Sequence, residues 1–445
     1  MKTVRIFNSL TNKVEEFKPI REGSASIYYC GPTVYDYPHI GNCRPPVVFD
    51  LLRRVLLHIG YDVKFVSNFT DVDDKIINKA IAENKTEKEV SEHFIDIYKS
   101  ILKDLNVLPA TQNPKVTENM DEIIHYINHL VETDHAYVVG NDVFFRVNSV
   151  KNYGQLANIS LDDLKSGARI ESNTNKENPF DFTLWKKTEK GITWTSPWGD
   201  GRPGWHTECC VMINNIFGNT IDIHGGGFDL KFPHHTNEIA QNHATCGKNL
   251  ANYWMHNGFV VINNEKMSKS LGNVIKGNEF IDRIGPLLTR YILLATYYRA
   301  PLNISDDIIE TSRTELNKIT SLLNNLYRQI QLKHIEIDTS KVLSIDTFVD
   351  ALCDDLNISN AMAEIFRVIK EANQALRQRD VDQELILKYF NTLNKMLEIL
   401  GLNVDLIKLS EEDIELINEF NKARSEKDFA KSDLIRAELI KKGLM

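Results

Sequence analysis

Cysteine is scarce in this chain. Six residues among 445 (Cys30, Cys43, Cys209, Cys210, Cys246 and Cys353) are too few and too scattered for a disulfide framework, which leaves them to burial, catalysis or metal binding. Long apolar runs are missing as well. The most hydrophobic helical stretch, residues 47–59, is broken by Asp50, Arg53, Arg54 and His58, and residues 1–10 have no apolar segment behind Lys2 and Arg5. Neither a signal peptide nor a membrane span is expected, so the expected setting is the cytoplasm, without membrane partners. Positive charge is not in excess either: 52 Lys and Arg stand against 61 Asp and Glu, a net charge of −9. Any nucleic-acid contact must therefore be a local basic patch. Hydrophobic residues make up 42% and aromatics 9%, enough to bury several cores and to exclude a disordered chain.

What is present alternates between strand and helix. Residues 25–29 form a β-branched and aromatic run that ends at Cys30-Gly-Pro, a loop follows, and residues 47–59 have helical periodicity. Residues 61–68 alternate like a second strand, and Thr86-x-x-Glu89 is a capping box ahead of Val90, Phe94, Ile97, Ile101 and Leu105. This order predicts an α/β fold, a doubly wound parallel sheet of Rossmann-like type, with ligands at the carboxyl ends of its strands. Residues 114–199 break the alternation and read as an insertion: a helix over 120–131, a hairpin over 137–147 and a polar loop at 172–178. The sheet resumes at 220–223, running into His224-Gly-Gly-Gly, and residues 254–262 read as a hairpin through Asn257-Gly258. After Leu302 glycine and proline nearly vanish, and Leu316, Ile319, Leu323, Leu326, Tyr327 and Ile330 repeat at helical spacing. The expected divisions are 1–113 and 200–311 for the two halves of the sheet domain, 114–199 for the insertion, 312–400 for an α-helical bundle and 401–445 for a short C-terminal segment.

Two short motifs carry the chemistry. Pro38-His39-Ile40-Gly41-Asn42 follows the first strand, and Lys266-Met267-Ser268-Lys269-Ser270 follows the late hairpin. Either alone could be turn chemistry or an exposed helix start; in this order they suit nucleotidyl transfer. That reaction consists mainly of neutralising charge on the α-phosphate and the leaving pyrophosphate. His39 and Asn42 can donate to phosphate oxygens at a helix N-terminus, where free amides and the dipole favour anions. Gly41 lets an adenine approach the backbone, and Lys266 and Lys269 can hold the other side of the triphosphate. Gly226, within Gly225-Gly226-Gly227, and Asp229 read as a side-chain-free turn at a strand end, suited to adenine and ribose. Asp71-x-Asp73-Asp74 is not a calcium loop, because Ile76 stands where that loop needs glycine.

Longer motifs extend the pattern: Tyr29-Cys30-Gly-Pro-Thr-Val-Tyr-Asp, Asn68-Phe-Thr-Asp-Val-Asp-Asp-Lys-Ile-Ile, Gly201-Arg-Pro-Gly-Trp-His-Thr-Glu-Cys209, His224-Gly-Gly-Gly-Phe-Asp-Leu and Phe232-Pro-His-His-Thr-Asn-Glu238. With these and the two signatures the chain resembles the class I aminoacyl-tRNA synthetases, specifically the cysteinyl-tRNA synthetase family, over nearly its whole length. The first signature ends in His or Asn in that family, so Asn42 is an accepted variant and a weaker charge stabiliser.

His234 and Glu238 are spaced i, i+4, which on a helix puts them on one face. With the thiols of Cys30 and Cys209 they make four ligands of the kinds zinc takes. By itself a His-x-x-x-Glu pair is commonly a surface helical pair, and Cys210 and His235 compete with their neighbours on chemistry alone. The resemblance assigns one zinc ion to Cys30, Cys209, His234 and Glu238, and implies that Thr70, Trp205 and His224 line a cysteine pocket with Trp205 as its floor. Zinc deprotonates a coordinating thiol, and thiolate binds it far better than a hydroxyl does. A hydrophobic pocket discriminates one small group by only about 1–3 kcal/mol, whereas rejecting serine ten-thousandfold needs about 5.5 kcal/mol at about 1.4 per tenfold. A metal–sulfur bond can supply the difference without an editing domain.

The resemblance further implies ATP with Mg²⁺, L-cysteine and tRNA(Cys) as partners of a monomeric cysteine–tRNA ligase. It casts 312–400 as a tRNA-binding bundle, on Cys353-Asp-Asp-Leu-Asn-Ile-Ser-Asn, and 401–445 as an anticodon-binding segment. The basic excess from Lys422 onward fits phosphate contacts, although a solvated amphipathic helix has the same look. Two other readings share these motifs: a ligase of the mycothiol type that joins cysteinyl-adenylate to an amino sugar, and a non-catalytic synthetase-like RNA-binding protein. Retention of the basic end argues against the first, and intact His39, Lys266 and Lys269 argue against the second.

Overall fold

The computed structural model describes residues 2–159, 176–267, 272–378 and 382–444. The chain divides into two compact units, Met1–Ile308 with Leu352–Ile358, and Ile309–Ala351 with Ser359–Met445.

The first unit begins with a two-stranded antiparallel ribbon, β1 (Arg5–Asn8) and β2 (Lys13–Glu16). Its centre is a four-stranded sheet built from β3 (Ser24–Tyr29), β4 (Asp62–Ser67), β9 (Ile221–Gly227) and β10 (Ala251–Asn257). The order is β10-β9-β3-β4, with every pair parallel. From β3 the chain steps to β4 on one side and later returns to β9 on the other, so the winding reverses between β3 and β9. That reversal opens a crevice at the strands' carboxyl ends. The strands are apolar on both faces, with Ile27, Tyr28, Phe65, Val66, Ile223 and Trp254 all buried, as a doubly covered sheet requires.

Helix α1 (Ile40–His58) joins β3 to β4. It starts seven residues before the periodicity predicts, running through Pro45 and Pro46. Proline lacks the N–H that a helix interior uses, but tertiary bonds fix this start. The Ile40 N–H donates to the Ile275 carbonyl (2.9 Å) and the Gly277 N–H to the Pro38 carbonyl (2.7 Å). Helices α2 (Asp74–Glu83) and α3 (Glu87–Asp104) follow, and α3 opens with the Thr86–Glu89 capping box.

The stretch read as an insertion holds α4 (Met120–Glu132), β5 (Ala136–Val139), β6 (Asp142–Phe145) and β7 (Phe182–Lys187), and these strands form a four-stranded antiparallel sheet with β8 (Gly201–Pro203), which lies past the expected boundary at 199. Most of the polar loop expected at 172–178 lies outside the described residues. The sites come from α5 (Glu208–Phe217) and α6 (Thr236–Cys246).

Two local expectations are overturned. Asn257-Gly258 is no hairpin turn: β10 ends there, and β11 (Val260–Ile262) enters another sheet, antiparallel to β12 (Glu265–Lys266) and parallel to β13 (Leu302–Ile304). A type I′ turn needs positive φ at both central residues, and neither has it. Gly258 is required for a different reason, since a Cβ there would lie 2.4 Å from the Ala300 carbonyl oxygen. Gly225, Gly226 and Gly227 likewise form no turn but the end of β9, in register with Met255, His256 and Asn257 of β10. A Cβ on Gly225 would sit 2.1 Å from the Met255 carbonyl oxygen, so the glycines permit close strand approach.

The second unit is helical. Leu316, Ile319, Leu323, Leu326 and Ile330, on the helix Asp306–Leu332, are buried on one face. The helix Gln383–Leu400 is capped by Asp382 and ends at Gly401 with φ 67°. Helices Glu411–Ser425 and Phe429–Lys441 pack Ile417 and Phe420 against Ile435 and Leu439. Among the described residues, no helix is long and apolar enough to cross a membrane.

Candidate active site and metal centre

A cleft of about 580 Å³ opens at the carboxyl ends of β3 and β9 and carries Cys30, His39, Gly41, Asn42, Trp205, Asp229 and Lys266 on its walls. His39 is the N-cap of α1, and its N–H donates to Asn42 Oδ1 (3.1 Å). The Ile40 and Asn42 amides of this first turn are taken by the Ile275 and His39 carbonyls (2.9 and 2.8 Å), so what the helix start offers the cleft is the His39 and Asn42 side chains. Gly41 keeps this wall low: a Cβ there would lie 2.9 Å from His39 Nδ1 and 3.0 Å from Met267 Cε. The two signatures thus meet although more than 200 residues separate them in sequence. Lys266 Nζ lies 4.6 Å from the ring centre of Phe259, also a cleft residue. Lys269 lies outside the described residues. Gly226 is inside β9 and is not a wall of the cleft.

Behind Cys30 lies a buried cluster. The end of β3 places Cys30, whose N–H donates to the Gly225 carbonyl (3.1 Å); α5 supplies Cys209, and the turn into α6 supplies His234 and Glu238. Cys30 Sγ is 3.6 Å from Cys209 Sγ and 3.7 Å from Glu238 Oε1, and Cys209 Sγ is 3.8 Å from His234 Nε2. His234 Nε2 and Glu238 Oε1 are 2.8 Å apart. Zinc bonds of about 2.3 Å to sulfur and about 2.0–2.1 Å to nitrogen or oxygen space tetrahedral ligand atoms about 3.3–3.8 Å apart. Three of these four separations already fall there, and the fourth is a hydrogen bond that a metal would widen.

A second group, Cys30, His224, His235 and Glu238, gathers equally closely. Its donors fit less well. His224 has the Tyr28 carbonyl 3.0 Å from Nδ1 and Glu238 Oε2 2.6 Å from Nε2. Both ring nitrogens thus already have close oxygen partners within the protein. Cys210 Sγ turns instead to the Glu238 backbone carbonyl (3.5 Å).

The electrostatics of the cluster tie its charged groups to one another. Burial pushes the Glu238 carboxyl up, but His224 and His234 outweigh it and hold the group well below the carboxylate range. Burial opposes charge on His234, yet Glu238 and Cys209 raise it to about 10. The hydrogen bond with Cys30 holds Cys209 down to about 6 against burial, while burial drives Cys30 and Cys210 well above the thiol range.

Trp205 is 42% exposed and packs its ring 4.4 Å from that of His234, so it stands between the cleft and the cluster. Thr70 and His224 are buried behind it; Thr70 Oγ1 donates to Glu208 Oε2 (3.0 Å). Residues the sequence reading did not single out complete the site. His206 Nδ1 lies 3.1 Å from His234 Nδ1, and His256 bridges His235 Nδ1 (2.8 Å) to Ser9 Oγ (2.8 Å). Burial lowers both His206 and His256 to about 3. His206 lies inside a quoted motif, whereas nothing local marks His256.

Comparison with known proteins agrees with this geometry. Residues 16–314 match the model of the tRNA synthetases class I (C) catalytic domain, and residues 347–405 match the DALR domain. A protein of Halalkalibacterium halodurans named Cysteine–tRNA ligase is 46% identical, covering 99% of this chain and 97% of its own length. One of Exiguobacterium sibiricum with the same name is 45% identical with the same coverage. The fold is similar to Mycobacterium tuberculosis methionyl-tRNA synthetase (TM-score 0.60, 14% identity, 85% of this chain and 89% of that one). It is also similar to Thermus thermophilus arginyl-tRNA synthetase (TM-score 0.57, 10% identity, 90% and 85%). With a class I catalytic model spanning most of its length and full-length relatives at this identity, the chain belongs to the class I tRNA synthetase family.

Proposed function

We propose that this chain is a ligase that activates L-cysteine with ATP and joins it to tRNA(Cys) in the cytoplasm. One observation carries the reading: a single cleft brings the helix start at His39 and Asn42 and Lys266 beside a wall behind which two thiols, an imidazole and a carboxylate converge. Both halves of an adenylation reaction selective for a thiol are therefore adjacent.

In the first step a carboxylate oxygen of cysteine attacks the α-phosphorus of ATP, taken with Mg²⁺, and pyrophosphate leaves. The side chains of His39 and Asn42 donate to phosphate oxygens, while Lys266 and Lys269 oppose the charge on the leaving group. Asp229, on the same wall, is placed to take the ribose hydroxyls. In the second step the 2′-hydroxyl of the terminal adenosine attacks the aminoacyl carbonyl and AMP leaves. Cys30, Cys209, His234 and Glu238 would hold zinc, which when bound favours a substrate thiolate over a hydroxyl. His224 orients Glu238, His206 orients His234, and Trp205 closes the pocket over the ligand ring.

The test is ATP-dependent attachment of labelled cysteine to bulk tRNA by the purified, zinc-loaded chain, with labelled serine in parallel. Charging with cysteine and not serine is expected. Cysteine-dependent ATP–pyrophosphate exchange without any product on tRNA would overturn the tRNA assignment and favour another acceptor for the adenylate.

A further inference from the structure

Helix α1 carries a second functional side chain two positions after Asn42. Arg44 is fully buried, and its partners are neutral oxygens: the carbonyls of Gly258 (2.8 Å), Phe259 (3.3 Å), Tyr297 (3.3 Å) and Ala300 (2.7 Å), and Thr296 Oγ1 (3.1 Å). A guanidinium buried on carbonyl dipoles alone is costly. What it obtains is geometry, because it clamps two separate backbone segments to the helix that begins with His39. One of them, Gly258-Phe259-Val260, is a wall of the cleft. The other is the turn 296–300, to which the wall is also tied by the Gly258 N–H on the Tyr298 carbonyl (2.8 Å).

The same turn is also gripped through its side chains. Its side chains converge on Asp355, which accepts from the Tyr297 and Tyr298 hydroxyls (the latter at 2.7 Å) and from the Phe7 N–H (2.8 Å), and pairs with Arg299 (3.3 Å). The Arg299 guanidinium lies 3.9 Å over the ring of Phe7. Asp355 is buried, and both it and Leu356 have positive φ (56° and 53°), a conformation that a branched residue such as Leu pays for in strain. Surrounding structure must over-determine it, and the Asp355 contacts do so. Asp355 belongs to Leu352–Ile358, the piece of the first unit that the chain contributes between two stretches of the second.

We propose that Arg44 and Asp355 are positioning residues for nucleotide binding, Arg44 holding the 296–300 turn mainly by its backbone and Asp355 by its side chains, and together setting where the Gly258–Val260 wall stands relative to His39 and Asn42. This rests on the reading of the cleft as an ATP site. Neither residue touches substrate; each acts through the turn.

The experiment compares the zinc-loaded full-length chain with Arg44→Lys, Asp355→Asn, Arg299→Gln and the Arg44→Lys/Asp355→Asn double variant. ATP affinity is measured by calorimetry, and the Michaelis constants for ATP and cysteine by pyrophosphate exchange. Each single variant is expected to weaken ATP binding at least fivefold with the cysteine constant changed less than twofold. The double variant should weaken it less than the product of the singles, because both act on one turn. Unchanged ATP affinity in the folded variants, even with a lowered melting temperature, overturns the proposal, as does an equal rise in both constants. Arg299 is partly exposed, so Arg299→Gln decides the matter if the buried variants fail to fold. Should the wild-type chain bind ATP but show no cysteine-dependent exchange, the functional reading fails while the calorimetric comparison still tests the positioning. A wild-type chain that binds no ATP overturns both.

Discussion

Replacing Cys209 with serine should weaken zinc binding far more than replacing its neighbour Cys210. The two differ by one position on α5 and face different partners. Cys209 Sγ lies among Cys30 (3.6 Å) and His234 (3.8 Å), whereas Cys210 Sγ faces the Glu238 backbone carbonyl at 3.5 Å. Only thiolate binds zinc well, and the sites differ in that respect too: Cys209 is held down to about 6, while burial pushes Cys210 well above the thiol range. A protein zinc site of four such ligands binds with about 10–16 kcal/mol, so one ligand carries about 2.5–4 kcal/mol. At about 1.4 kcal/mol per tenfold, Cys209→Ser should weaken zinc binding about 10²–10³-fold. Competition against a chromophoric chelator measures this, with elemental analysis giving the stoichiometry of one per chain. Cys210→Ser should stay within about threefold of wild type, a difference of about 0.7 kcal/mol. Equal losses in the two variants, or an unchanged zinc affinity in Cys209→Ser, would refute the ligand assignment.

Other outcomes follow from the same geometry. In the metal-free protein at pH 7, Cys30 and His234 hold protons because both are raised, the latter to about 10, while Cys209 at about 6 has mostly lost its own. Zinc binding should therefore release about two protons and tighten as pH rises; calorimetry in buffers of different ionisation enthalpy reads the number, and no release would contradict the cluster. Lys266→Ala and Lys269→Ala should each slow cysteine-dependent pyrophosphate exchange more than tenfold while cysteine affinity stays nearly intact, a loss of about 1.4 kcal/mol of transition-state stabilisation or more. An unchanged rate would remove that lysine from the mechanism. Asp50 accepts from Arg54 (2.7 Å), Arg290 (2.6 Å) and the Leu108 N–H (2.9 Å), with Arg290 buried beside it. Asp50→Ala should thus cost about 3–5 kcal/mol in denaturant unfolding by stranding a buried guanidinium; a cost below about 1 kcal/mol would show that the pair adds little.

How legible the site was depended on whether a residue's role is set locally. The capping box at Thr86–Glu89 and the helix of the second unit carrying Leu316 to Ile330 follow from spacing alone, because a helix brings i, i+3 and i+4 together whatever else the chain does. His234 and Glu238 were paired by the same rule. The Asn257-Gly258 hairpin and the Gly225–Gly227 turn were misread because glycine signals either an unusual φ or a close approach, and sequence does not say which. Here both are approaches, to Ala300 and Met255. The helix start at Ile40 was hidden by Pro45 and Pro46, whose local penalty is overridden by bonds to Ile275 and Pro38.

By itself the sequence determined the alternation that makes a doubly wound sheet and the two signatures, since these rest on period and motif, and it left Cys209 against Cys210 and His234 against His235 to the family resemblance. Only the tertiary structure decided that the signatures share a cleft, that Cys209 and not Cys210 faces Cys30, and that His224 is spent on Tyr28 and Glu238. It alone revealed His206, His256, Arg44 and Asp355. Those choices depend on where strands and helices distant in sequence lie in space, and a side chain's direction is set by the packing of its element, not by its neighbours in the chain.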